Sequence, residues 1–97
     1  MGKASITNLL PPDRARRLRS GLGLELRRLR LEANLSQSSM SAPLTRAFIS
    51  QLESGRSLPS LPVLIVLAER LGTSADEILK SVNQTLSAEY PDAHENR

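Results

Sequence analysis

Turn-forming residues punctuate this chain at short intervals, at Pro11-Pro12, Asn34, Pro43, Ser54-Gly55, Pro59 and Gly72, and between them apolar residues recur with helical spacing. No stretch alternates apolar and polar residues over four or more positions, so strands find no support. What the intervals permit is a set of short helices, each with its own stop. From Leu22, the residues Leu22, Leu26, Leu29 and Ala33 fall on one stripe, and Asn34, tolerant of the left-handed conformation, ends it. Ser36 caps a short second helix anchored by Met40, which Pro43 ends because the residue before a proline is pushed out of the helical region. Thr45 caps a third helix with Phe48, Ile49 and Leu52 on one side, closed by Ser54-Gly55. Ser60 opens a fourth, whose inward stripe reads as Leu61, Leu64, Ile65, Ala68 and Leu71 before Gly72. Ser74-Ala75-Asp76-Glu77 then has the spacing of a capping box, with Ile78 and Leu79 behind it.

With 97 residues there is one core to build. The expected fold is all-α, a compact bundle of five short helices over about residues 22–83. Residues 1–21 read as a basic arm in which Asp13 starts a short helix that Gly21 and Gly23 weaken. Residues 84–97 read as a polar tail broken by Pro91.

Composition removes most chemistries. There is no cysteine, one histidine (His94) and two aromatics (Phe48 and Tyr90). Disulfides, thiolate catalysis, cysteine zinc fingers and stacking platforms for single-stranded nucleic acid are excluded, and an imidazole cluster is not expected. The longest apolar run, Val63 to Ala68, is six residues, whereas a bilayer span needs about 20. The start, MGKASITNLL, lacks the pattern of a signal peptide, and Ile6 stands where myristoylation needs Ser or Thr. A cytoplasmic protein with no membrane partner is expected. No glycine-rich phosphate loop, nucleophile elbow or paired His-Glu spacing occurs. The expectation is therefore no enzyme, no metal and no cofactor.

Charge is unevenly divided. Residues 1–56 carry ten basic and four acidic side chains, and residues 57–97 carry three and six. Such a dipolar chain would present one face to a polyanion, although a solvated surface gives the same counts. Inside the basic half, two capped helices joined by a tight turn at about residues 36–54 form a helix-turn-helix pattern. On the third helix the side away from Ile49 and Leu52 carries Arg46, Ala47, Ser50 and Gln51. Nothing bulky there blocks entry to a major groove about 12 Å wide, and arginine and glutamine can pair bidentately with guanine and adenine. An ordinary solvated helix face would look the same.

The segments LGLELRRLRLEANLSQSSM, LTRAFISQLESGRSLPSL and LAERLGTSADEIL resemble the lambda-repressor-like, Cro/Xre-type helix-turn-helix family over about residues 22–79. Arg27 and Arg30, Leu35-Ser36-Gln37, Ile49-Ser50 with Leu52-Glu53, Gly55 and Pro59-Ser60-Leu61 carry it. Arg46 to Ser50 is also similar to the recognition helix of controllers of restriction–modification genes. The resemblance implies that Gln37 contacts a phosphate, that Thr45 caps and touches the backbone, and that Arg46, Ala47, Ser50 and Gln51 read bases. It further implies a phosphate or groove contact at Arg56 and a partly buried Arg30–Glu53 ion pair.

This chain also departs from the family. The segment from Gln37 to Ile49 is two residues short of the family spacing, Pro43 replaces a turn glycine, and Ser41 replaces a small alanine. Phe48 stands where controllers often carry tyrosine, so it is expected to pack on the domain or on a thymine methyl.

The function implied is a sequence-specific, double-stranded DNA-binding regulator of transcription, a homodimer on a palindromic operator. The alternative is an antitoxin-type module that binds DNA together with a partner protein. Leu24 with Leu31, and Val63 with Val66, point away from their stripes. Either pair fits a cover by Leu9 and Leu10 or a dimer interface, with the interface favoured around Val63, Val66 and the fifth helix. The arm's Arg14, Arg16, Arg17 and Arg19 fit a DNA-backbone contact or a merely solubilising role.

Overall fold

The computed structural model describes residues 10–89, whose regular elements are all helices: α1 (Pro12–Glu32), α2 (Gln37–Ser41), α3 (Arg46–Glu53), α4 (Leu61–Arg70) and α5 (Ala75–Glu89). The expected all-α, five-helix architecture is the observed one. Helix starts are set locally. The hydroxyls of Ser36, Thr45, Ser60 and Ser74 accept from the backbone N–H of Ser39, Phe48, Val63 and Glu77 at 2.9, 3.0, 3.4 and 3.3 Å. Each satisfies a donor that a helix start leaves open, stabilising it by about 1 kcal/mol. The stops are conformational: Asn34, Gly55 and Gly72 have φ of 60°, 81° and 76°, the left-handed region through which a chain leaves a helix.

The core is built from Leu22, Leu26, Met40, Ile49, Leu52, Leu64, Leu67, Ala68, Ile78 and Val82. Helix α1 packs on both α3 and α5, α2 packs on α3, and α4 packs on α5. The α2–α3 pair is thus held from behind by a long helix.

Three expectations are corrected. First, the arm does not end at residue 21, because α1 runs unbroken from Pro12 through that boundary. Pro12 is tolerated in the first turn, and Asp13 pairs with Arg16 and Arg17 one turn on. Two helical glycines cost about 1 kcal/mol each. Burial of Leu22 and Leu26 contributes about 1.5–3 kcal/mol apiece and wins. Gly23 is required: a Cβ there would lie 2.3 Å from the Leu52 carbonyl oxygen and 2.7 Å from that of Glu53, so α1 and α3 touch backbone to backbone.

Second, the tail boundary at 84 falls inside α5, which continues to Glu89 because Leu86 packs on the core beside α1. Leu9 and the tail from Tyr90 lie outside the described residues.

Third, α4 turns a different face inward. Leu64, Leu67 and Ala68 are buried, whereas Leu61 and Ile65 are exposed. Val63 to Ala68 is apolar at every position, so periodicity supports more than one stripe, and packing on α5 chooses between them.

Candidate nucleic-acid interface

Helix α2 has five residues, too few to sustain itself. Its ends are held from outside. Ser36 caps its start, and Arg70, at the end of α4, donates from Nη1 to the Met40 carbonyl at 2.6 Å. Ser41, in the place of the family's small alanine, is buried with its hydroxyl donating to the Ser38 carbonyl at 2.9 Å. The turn then runs through a cis Ala42–Pro43 peptide, with the Leu44 N–H on the Ser41 carbonyl, into the Thr45 cap of α3.

A buried polar cluster locks α3 to α1. Arg30 and Glu53 are each 8% exposed. Arg30 donates from Nε and Nη2 to the two Glu53 carboxylate oxygens at 2.6 and 3.0 Å, and from Nη1 to the Leu35 carbonyl at 2.8 Å. Gln37 Nε2 adds a bond to Glu53 Oε1 at 3.1 Å. The hydrogen bonds that Arg30 donates to Glu53 raise the Arg30 pKa despite burial. Among the described residues no buried side-chain nitrogen or oxygen lacks a partner, the condition under which a buried ion pair is tolerable.

On α3, Ile49, Leu52 and Glu53 face inward, while Arg46, Ala47 and Gln51 are exposed. Ser50 is half-buried in a groove it shares with Arg27, Arg30, Gln37, Glu53 and Ser54. The Gln51 Oε1 accepts from the Ser57 hydroxyl at 3.2 Å, and its amide nitrogen has no partner among the described residues. Thr45 is exposed with its hydroxyl oxygen engaged as the cap. Arg56 is exposed just past the helix, its Nε on the Ser54 hydroxyl at 3.0 Å. Phe48 sits apart from the outer face, half-buried against the core. Gln37 is half-buried at the start of α2, tied to Glu53 and not projecting freely.

Cations sort by partner. Arg16 and Arg17 share Asp13, Arg28 lies between Glu25 and Glu32, and Arg30 holds Glu53. Among the described residues Arg14, Arg19, Arg27, Arg46, Arg56, Arg70 and Lys80 have no carboxylate ion-pair partner. Four of these surround α3. Arg46 opens it, Arg56 follows it, Arg27 lines its groove with α1, and Arg19 Nε donates to the Gly55 carbonyl at 3.2 Å. The sequence alone assigns Arg27 no role at the site and leaves Arg19 open between a DNA-backbone contact and a solubilising role. Arg27 has a legible signal, since no carboxylate stands three or four residues to either side of it. Arg19 shares that signal, but its placement depends on a contact 36 residues away.

A five-helix bundle with a short α2, a tight turn and an α3 of polar outer face is a helix-turn-helix domain. A family model described as "Helix-turn-helix domain" matches residues 21–79, and the chain belongs to that family. Its architecture is consistent with the lambda-repressor-like, Cro/Xre-type resemblance. Among solved structures the chain is similar to the clp gene regulator ClgR from Corynebacterium glutamicum, with a TM-score of 0.70 and 23% identity over 78% of this chain and 83% of that one. That likeness establishes the fold. No curated protein matches the sequence significantly. Among the described residues no helix is long and apolar enough to cross a membrane.

Proposed function

We propose that this chain is a sequence-specific, double-stranded DNA-binding regulator of transcription, acting in the cytoplasm as a homodimer on a palindromic operator. The observation that carries the proposal is the pairing of a polar, unobstructed outer face on α3 with four carboxylate-free arginines around it. Helix-turn-helix domains lay the second helix of the motif in the major groove. In that pose Arg46, Ala47, Ser50 and Gln51 meet base edges, with Arg46 suited to guanine and the Gln51 amide to adenine. Gln37, Thr45 and Arg56 meet the phosphate backbone. Phe48 packs on the domain at the margin of the face.

Dimerisation is supported by a second feature. Leu61, Ile65, Val66 and Leu79 are exposed on α4 and α5, and three of them (Leu61, Ile65 and Leu79) line one shallow groove. Large exposed apolar clusters mark interaction surfaces. A two-fold pairing there would bury this one, and helix-turn-helix dimers read half-sites about one DNA turn apart.

Selection from a random duplex library with the purified protein tests the reading. An enriched palindrome supports it. Salt-sensitive binding without enrichment would sink it in favour of the antitoxin-type module, in which the same apolar face receives a partner protein.

A further inference from the structure

The N-terminal extension of α1 touches the loop that follows α3. Arg19 Nε donates to the Gly55 carbonyl at 3.2 Å, and a Cβ on Gly55 would lie 3.1 Å from the Ser20 Cα and 3.3 Å from its nitrogen. Arg56, the next residue, is exposed and anchored through Nε to Ser54. Two guanidiniums are thus tethered to the same three-residue loop, and neither has a carboxylate partner among the described residues. Arg19 spends one donor on Gly55. Its Nη1 and Nη2 have no partner among the described residues, and no unpartnered nitrogen of a half-buried residue is sealed from solvent, so neither terminal nitrogen is shut off from it. Arg16 and Arg17, by contrast, are committed to Asp13.

We propose that Arg19 is an outlying phosphate contact, which docks the α1 extension on the loop after α3 and offers its Nη1–Nη2 edge to the DNA backbone beside the phosphate met by Arg56. The proposal rests on the DNA-binding reading above and deepens it by adding a contact outside the recognition helix. The fork geometry of guanidinium suits it, because one edge can hold a carbonyl while the other grips a phosphate bidentately. Such a contact carries no base information.

The test uses the full chain, the duplex recovered by selection and an unrelated duplex of the same length. In Arg19→Gln, the slope of log affinity against log salt should shrink by roughly 0.9 for each Arg19 engaged, on both duplexes, with base preference intact. Arg28→Gln, which removes a cation already held by two carboxylates, should leave the slope unchanged. An unchanged slope in Arg19→Gln, with normal binding by the unsubstituted protein, overturns this inference alone and leaves Arg19 a structural staple. Failure of the unsubstituted protein to bind either duplex overturns the DNA reading and this inference with it. If Arg19→Gln does not fold, phosphate-ethylation interference is compared between the unsubstituted protein and Arg56→Gln. The phosphate next to the one whose interference Arg56→Gln abolishes, at the outer edge of the half-site, should interfere in both proteins, and its absence from the unsubstituted protein would refute the contact.

Discussion

Arg30 and Glu53 stand 23 residues apart in the chain, yet their side chains meet through two parallel hydrogen bonds in the interior, joining α1 to the last turn of α3. Neither group need touch DNA to matter, because the angle at which α3 leaves the domain depends on where Glu53 is held. Removing one partner leaves a buried charge uncompensated. Glu53→Leu or Arg30→Met should therefore each destabilise the fold by about 3 kcal/mol in urea titration. The double substitution, which leaves no orphaned charge, should recover most of that loss. Singles and double that are equally destabilised would show that the pair's charges are not the issue.

Two glycines one turn-fraction apart should respond in opposite directions. At Gly23 a methyl group would meet the Leu52 carbonyl oxygen at 2.3 Å, inside any tolerable contact. Gly23→Ala should cost about 1–3 kcal/mol or more as α1 is pushed off α3. At Gly21 the nearest neighbour is Val82 Cγ1 at 3.5 Å, an ordinary contact. Gly21→Ala should stabilise by roughly 0.4–1 kcal/mol. Thermal melts of the two variants check both signs at once.

Acid should weaken the domain through Glu25. The hydrogen bond from Arg28 chiefly, then the Ser81 hydroxyl, hold this carboxyl below its ordinary range against the opposing effect of burial. Its folded-state pKa lies below its unfolded one. The stability it contributes is therefore complete above the ordinary glutamate value, about 4.3, and is lost as pH falls through the folded value. Asp76, lowered chiefly by the Ser74 hydroxyl, acts with the same sign. Tm should drop on acidification below about pH 4.3, and Glu25→Gln should flatten that drop. An acid limb of unchanged steepness in Glu25→Gln would assign the effect to other groups.

Gln37 has two duties in this account. Its amide supports Glu53 at 3.1 Å, and in the proposed complex it meets a phosphate. Gln37→Ala should lower stability by about 1 kcal/mol and weaken binding on all duplex sequences alike. Loss confined to the preferred sequence would place Gln37 at a base instead.

What the sequence made legible was local. Ser36, Thr45, Ser60 and Ser74 cap, and Asn34, Gly55 and Gly72 stop, through contacts within a few residues. The length of α1 was not legible, because the cost of Gly23 lies in its own helix while the gain lies at Leu52, on another. The inward face of α4 was hidden by an unbroken apolar run. At the site, the exposure of Arg46, Ala47 and Gln51 follows from helical spacing, whereas Ser50 is half-buried in the groove with α1. Two details came from long-range contacts that no spacing encodes: the tie between Gln37 and Glu53, and the reach of Arg19 to Gly55.

The central claim is that α3 reads base edges, and Arg46 is its most exposed commitment. The direct measurement is the affinity of the unsubstituted protein and of Arg46→Ala for the selected duplex and every single-base variant of it, at one fixed salt concentration. Arg46→Ala should lose about 1–3 kcal/mol on the preferred duplex, with base preference relaxed at one position per half-site and retained elsewhere. An equal loss on every duplex, with all preferences intact, would contradict it and make Arg46 a backbone contact.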